Sequence, residues 1–249
     1  MENTAHSRYA VGVGKANSLE QQLRANLAAA REARNAQTQS AQRAADRLAL
    51  RRYQQMRLKS THSDLLESKR YAPATQFFLT ELYSTEDLTQ RDADIERVIK
   101  VLVKFLPDNA LKTLATALEM DALSERLDGE MASELRAASA GRSALTITEQ
   151  SYARAYRCVG QFDARQHQIN LTEQLGYSLD KLSRLPLLLG LLRMMRLPAS
   201  AAGVAGLHEF LEAGYSAFKK MNGGGEFIKA IVEREQAEHE RLISIDKPN

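Results

Sequence analysis

Apolar residues recur along this chain at three- and four-residue intervals, and no convincing period-two alternation is found, which predicts helices without strands. From Ser18 to Lys59 neither Gly nor Pro interrupts a run rich in Ala, Gln, Arg and Leu, all good helix formers. Ser18 and Gln21 have the spacing of a capping box, and residues 1–17, small, polar and Gly-containing, read as a flexible terminus. The apolar face of this first helix is thin. Leu19, Leu23 and Leu27 form a stripe, residues 28–47 offer mostly Ala, and a stripe returns with Leu48, Leu50, Tyr53, Met56 and Leu58. A helix with so little to bury packs on a partner or on another copy, or projects into solvent. A short helix over about 61–69 follows. Pro73 suits the first turn of another reaching Tyr83, with Phe77, Phe78 and Leu82 inward and a turn at Ser84–Asp87.

Thr89 and Asp92 resemble a capping pair opening a helix over about 90–105, apolar at Ile95, Val98, Ile99, Leu102 and Phe105. Pro107 ends it and Asp108 caps the next, over 109–137, where Leu111, Leu114, Leu118, Leu127, Met131 and Leu135 keep a 3.6-residue period. After a loop at Ala138–Leu145, Thr146 or Thr148 caps a helix expected to reach about Gln174 and stop at Gly176. Another helix starts at Ser178, and Pro186 kinks it or begins a new one. Leu187–Met195 is apolar nearly all round and is expected to be the most buried helix. Leu207–Met221 is amphipathic, Asn222–Gly225 is a break, and Glu226–Ser244 is the last helix. The expected fold class is all-α. It is a single multi-helix bundle of eight or nine helices over residues 60–249, preceded by a flexible N-terminus and a long basic helical arm over residues 1–59.

Composition narrows the class. With no Trp and few Pro, the core must rest on Leu, Ala, Val, Ile and Met. The single cysteine, Cys158, excludes an internal disulfide and a Cys-based zinc site, which fits a reducing cytoplasm. The N-terminal residues lack a charged segment followed by an apolar one, so no secretory signal is read there. The longest charge-free apolar run, Leu185–Leu192, is less than half of the roughly 18 residues that suggest a membrane span. The chain reads as soluble and cytoplasmic. Its net charge of +3 argues neither for nor against nucleic acid, but the N-terminal helix is locally basic, with nine Arg and Lys between Arg24 and Lys59. Binding nucleic acid through that helix is one reading.

Candidate chemistry gathers around Arg70–Val98. Arg91, Asp92, Asp94, Glu96 and Arg97 crowd a helix start. In the plainest reading they form a capped start with surface ion pairs, Asp87–Arg91 and Glu96–Lys100 at i,i+4 and Asp94–Arg97 at i,i+3. In a sharper one they form a polar lock: Arg91 or Arg97 pairs with Glu81, and Tyr83 bonds a carboxylate between two helices. In a third they line a ligand site. Asp163–His167, His208–Glu212 and Glu235–His239 have helical spacing, but no Glu-x-x-His occurs, as a di-iron bundle requires. His167 and His208 are the weak metal or haem candidates, and no cofactor is expected. Asn222–Gly225 lacks the Lys-Ser/Thr of a phosphate loop, and no nucleophile signature is present.

FFLTELY followed by DLTQRDADIERV, then FLPDNALKTLATALEMDALSERLD, LPLLLGLLRMMRLPASAAGVAGLHEFLEAGYSAFKKM and EFIKAIVERE, resembles an uncharacterised bacterial all-helical family. Its members carry two Phe, an acid–Leu–Tyr step and an Arg-Asp-x-Asp motif. The resemblance covers about Lys69–Leu242 and implies a continuous helical domain with no established activity. The leading functional expectation is a non-enzymatic protein that binds a protein partner or another copy of itself. The alternative is a bundle that binds a small ligand, haem or metal, in one form an oxidative enzyme.

Overall fold

Asp108 to Ala137 forms one helix, about 45 Å long at 1.5 Å per residue, with no Pro and a single Gly. The other helices are placed relative to it. The computed structural model describes residues 3–82, 89–139, 141 and 143–244, with side chains from Ser18 onward except those of Glu81, Leu82 and Pro186. The elements in order are α1 (Asn3–Thr38), α2 (Ala41–Thr61), α3 (Ser63–Glu67) and α4 (Ala72–Phe77), which continues into a π-helical turn (Phe78–Leu82). Then come α5 (Thr89–Phe105), α6 (Asp108–Ala137), α7 (Glu149–Val159), α8 (Phe162–Ser183), α9 (Pro186–Ala201), α10 (Ala205–Met221) and α11 (Gly225–Ser244). The fold is all-α, with eleven α-helices and no strand among the described residues. No helix among them is long and apolar enough to cross a membrane. Tyr83 and the expected turn at Ser84–Asp87 lie outside the described residues.

The eleven include α1 and α2 of the N-terminal segment; after residue 60 the described residues hold nine, α3 to α11, although two long predicted helices are broken. Between α1 and α2 the chain bends at Gln39-Ser40, and Ser40 caps α2 by accepting from the Arg43 backbone N–H at 3.2 Å. The predicted helix from Thr148 is broken at Gly160-Gln161, where both residues have positive φ. Of the two expected caps, Thr146 and Thr148, it is Thr148 that starts it, in a reciprocal capping box with Ser151. Gly176 does not end a helix; α8 continues through it to Ser183. A Cβ there would lie 2.9 Å from Ile228 Cγ1, so the missing side chain lets α11 approach α8.

The largest correction concerns the N-terminal segment, which is built into the body instead of standing apart as an arm. Leu19, Leu23 and Leu27 join Ile95, Ile99 and Leu102 of α5 and Leu111, Ala115 and Leu118 of α6 in one core cluster. The stripe does not lapse after Leu27. It continues at helical spacing through Ala30, Arg34 and Gln37, all buried. Ser18, expected as a cap, lies within α1. A second cluster joins Leu50 of α2, Met131 and Leu135 of α6, Tyr152 and Tyr156 of α7 and Leu242 of α11. A third joins Phe77 of α4 to Phe218 of α10 and to Phe227, Ile228 and Ile231 of α11.

The second correction concerns α9. The helix expected to be most buried has Leu187, Met194 and Leu197 at 85%, 71% and 81% exposure, and only Leu192 and Ala199 of its described side chains are buried. Its inner side meets α10 and, through Ala199, the first core cluster. Among the described residues nothing covers its outer side.

Leu27 is fully buried, so Leu27→Ala is expected to cost about 2–5 kcal/mol in urea-denaturation stability. A helix standing free of the body would show almost no change.

Candidate functional site

Where α1, α2, α5 and α6 meet, the buried faces turn from apolar to charged. Glu125, halfway along α6, has 0% exposure. Three arginines from the N-terminal helices hold its carboxylate: Arg34 at 3.1 Å, Arg47 at 2.9 Å and Arg51 at 2.5 Å. Gln37 donates to it at 3.2 Å and to the Glu125 backbone carbonyl at 2.6 Å. Arg34 also pairs with Asp121 at 2.9 Å and with Asp92, and Arg91 pairs with Asp121 at 2.8 Å and Asp92 at 3.3 Å. One turn on, Asp128 accepts from Gln54 at 2.9 Å and stands 3.8 Å from Arg51. Among the described residues, four arginines thus face four carboxylates.

Helical spacing makes this possible. Arg47 and Arg51 sit four apart on α2, and Asp121, Glu125 and Asp128 four and three apart on α6, so each series shares a face. Burial works to raise the Glu125 pKa, but the Arg51, Arg47 and Arg34 guanidiniums outweigh it and hold the carboxyl below its ordinary value. At Asp92 burial outweighs Arg34 and Arg91, and at Asp128 it outweighs Arg51, so both carboxyls are raised.

Of the residues singled out in the sequence, Arg91 and Asp92 belong to this network. Asp94 is buried beside them but accepts from Gln90 at 2.7 Å and lies 3.9 Å from Arg97. Arg97 points elsewhere, donating to the Ala202 and Gly203 carbonyls at 3.2 and 3.4 Å between α9 and α10. The Glu81 side chain and Tyr83, expected in the polar lock, lie outside the described residues. The partners found for Arg91 and Arg97 are the acids of α5 and α6 and a turn. Glu96 pairs across helices with Arg24, in place of a local pair with Lys100. His167 and His208 do not come together: His167 is exposed and bonds Glu119 at 2.9 Å, and His208 is buried 3.7 Å from Glu212. Among the described residues no three His, Cys, Asp or Glu side chains form a metal-binding group. Sequence reasoning missed Arg34, Arg47, Arg51, Asp121, Glu125 and Asp128. Their signal was periodic, since Arg34 falls on the stripe begun by Leu19, Leu23 and Leu27.

A second polar group lies on the C-terminal side. Glu235 accepts from Arg57 at 2.8 Å and lies 3.3 Å from His62 Nε2. The Tyr156 hydroxyl and His239 Nδ1 are 2.6 Å apart, and burial, with the nearby Arg165 charge, lowers the His239 pKa. A cavity of about 140 Å³ lies between the two polar groups, reached by side chains of α2, α5, α6, α7, α8, α10 and α11.

A family model, Domain of unknown function (DUF8198), matches residues 33–248, and the chain belongs to this family. The matched span contains every member of the charge network. No curated protein and no solved structure matches the chain.

Removing one member of a buried ion network strands the others, so Glu125→Gln is expected to lower stability by about 3–5 kcal/mol in urea titrations. Asp92→Asn is expected to cost clearly less, because burial already disfavours its charge and Arg34 and Arg91 both keep Asp121.

Acid should report on Glu235. Burial works to raise its pKa, but His62 and Arg57 outweigh it and hold it at about 2, below its ordinary 4.5. A depressed carboxyl stabilises the fold above its unfolded-state pKa, and that contribution is lost as pH falls through the folded-state value. Glu235→Gln should therefore lower the urea midpoint at neutral pH and flatten its decline between pH 4.5 and about 2. Parallel wild-type and variant curves over that window would contradict the assignment.

Proposed function

We propose that this member of the DUF8198 family is a non-enzymatic binding protein that pairs with a second copy of itself through α9. The observation that carries the reading is the outer side of that helix, where Leu187, Met194 and Leu197 stand almost fully exposed. Contiguous exposed apolar surface of this kind marks interaction sites in soluble proteins.

The spacing of the face supports a helical partner. Leu187, Gly190, Met194 and Leu197 are three, four and three residues apart, the interval of a coiled-coil seam. Gly190 costs about 1 kcal/mol of helix propensity relative to Ala. The chain's own packing makes no use of the missing side chain, because a Cβ there would meet nothing within 4 Å. An antiparallel copy would use it. With the two-fold axis near Leu192, Leu187 faces Leu197 of the other copy, and Met194, a flexible gap filler, enters the space above Gly190. The face is thus complementary to itself.

Charge gives the reading a distinguishing mark. Arg196 is neutralised within the chain by Glu212 at 2.6 Å, whereas the pairing brings the two Arg193 side chains alongside one another. Their repulsion is screened by salt. Nucleic acid is the weaker partner, because Arg34, Arg47, Arg51 and Arg57 of the basic N-terminal segment already pair with carboxylates in the body.

Sedimentation equilibrium or light scattering tests the proposal. A concentration-dependent dimer is expected, tightening as salt is raised. Met194→Glu and Leu197→Glu should return the protein to monomer while the Tm holds within a few degrees, because neither side chain belongs to the core. A monomer at every concentration, or a dimer indifferent to Met194→Glu, would overturn it.

A further inference from the structure

Among the described residues, one buried guanidinium has no carboxylate partner. Arg165, on α8, is 6% exposed and lines the central cavity. Among the described residues no carboxylate comes within 4.0 Å of its guanidinium. Asp128 feels its charge but lies beyond that distance, already engaged by Gln54 and Arg51. The contacts of Arg165 are weak ones: a 3.5 Å hydrogen bond to the Leu127 carbonyl and the face of the Tyr156 ring, 5.1 Å from the guanidinium carbon. A guanidinium carries five N–H donors, so most of its capacity is unused.

Other orphaned donors adjoin the same cavity. Nε of Arg57 and Nε of Arg91 are buried without a hydrogen-bond partner. Both residues line the cavity. Buried donors and an unpaired buried cation are costly in a fold, and a structure that keeps them around an open volume provides for something to fill it. The rest of the wall is mixed: the carboxylates that reach it, Asp121, Asp128, Glu235 and Glu238, are each engaged by an arginine other than Arg165, and one stretch is apolar. Ile169 follows Arg165 by one turn on α8, and Leu114 and Leu118 of α6 line the same space.

We propose that the cavity is a binding site for a small monocarboxylate with an apolar body. The carboxylate pairs with Arg165, whose planar fork matches its two oxygens. The hydrocarbon end lies against Ile169, Leu114 and Leu118. A volume of about 140 Å³ suits a single aromatic ring or a short alkyl chain, not a nucleotide or a lipid. The ligand supplies the negative charge that the interior lacks, so the site selects an anion over a neutral isostere. This site is separate from the α9 face and does not depend on self-association.

Benzoate, hexanoate, benzamide and inorganic phosphate are the probes, titrated by calorimetry and by thermal shift into the full chain. Benzoate or hexanoate is expected to bind at one per chain with a saturable rise in Tm, at least tenfold tighter than benzamide or phosphate. Arg165→Met is expected to abolish that rise, while the ligand-free protein melts at the wild-type temperature or above it, because an unpaired buried charge has been removed. If Arg165→Met does not fold, Ile169→Phe gives the second reading. It keeps the arginine and fills the cavity, and should lose benzoate while still unfolding cooperatively. The proposal is overturned by the absence of saturable carboxylate binding at millimolar concentration, by phosphate or benzamide binding as tightly as benzoate, or by benzoate binding that survives in either variant.

Discussion

The fold depends on how one carboxylate is kept charged out of water. Glu125 lies halfway along α6 with no exposed surface. Moving a lone carboxylate there would cost several kcal/mol even after relaxation. Arg34, Arg47 and Arg51 offset that cost together, and they come from two helices separated by the break at Gln39-Ser40. The three guanidiniums can converge on one carboxylate only if α1 and α2 meet α6 at set depth and register. The interaction therefore orients the N-terminal segment as well as satisfying a buried charge. The apolar contacts of Leu19, Leu23 and Leu27 supply much of the attraction for α1, but leucines tolerate sliding better than bidentate cations do.

The same interaction explains which parts of the fold were legible in the sequence. Helix ends marked by backbone chemistry were readable: Pro107 before α6, the Thr148 capping box, Pro186 at the start of α9, and Asn222 in the left-handed conformation after α10. The assignment of faces failed where polarity and burial part company. Arg34 and Gln37 continue the buried stripe of α1, yet by residue type they resemble a solvated face, so a docked helix read as an arm. The breaks at Gln39-Ser40 and Gly160-Gln161 were hidden for related reasons. The first has neither Gly nor Pro, and at the second Gln161 takes a left-handed conformation that its residue type does not announce.

The candidate site was half legible. A crowd of acids and arginines at the start of α5 pointed to Arg91 and Asp92, but the ion pairs of Arg34 span 58 to 91 residues of sequence. Local spacing explains pairs within a helix and is blind to pairs between helices. α9 erred in the opposite direction. An all-round apolar helix is normally buried, but burial also requires a neighbour on every side, and α9 has neighbours only on its inner side among the described residues.

These features bear on whether the buried charges serve chemistry or architecture. A general acid or base must exchange a proton near the working pH, and so needs a pKa brought close to it. Glu125 and Glu235 are displaced the other way, Glu125 held ionised by Arg34, Arg47 and Arg51, and Glu235 by Arg57 and the His62 ring contact. Their surroundings stabilise one protonation state, as a structural ion network does. Asp92 and Asp128 are displaced upward, but each is pinned by its own donors. Among the described residues, Arg165 is a buried cation that no carboxylate matches. An unmatched buried cation beside a cavity is a recognition element: it discriminates by charge without requiring that anything bound there react. α10 stands between that cavity and the exposed side of α9, lending Leu207 and Leu211 to the cavity wall while packing on α9. The two surfaces with unfilled valence, one ionic and internal, one apolar and external, share one helix as their common wall.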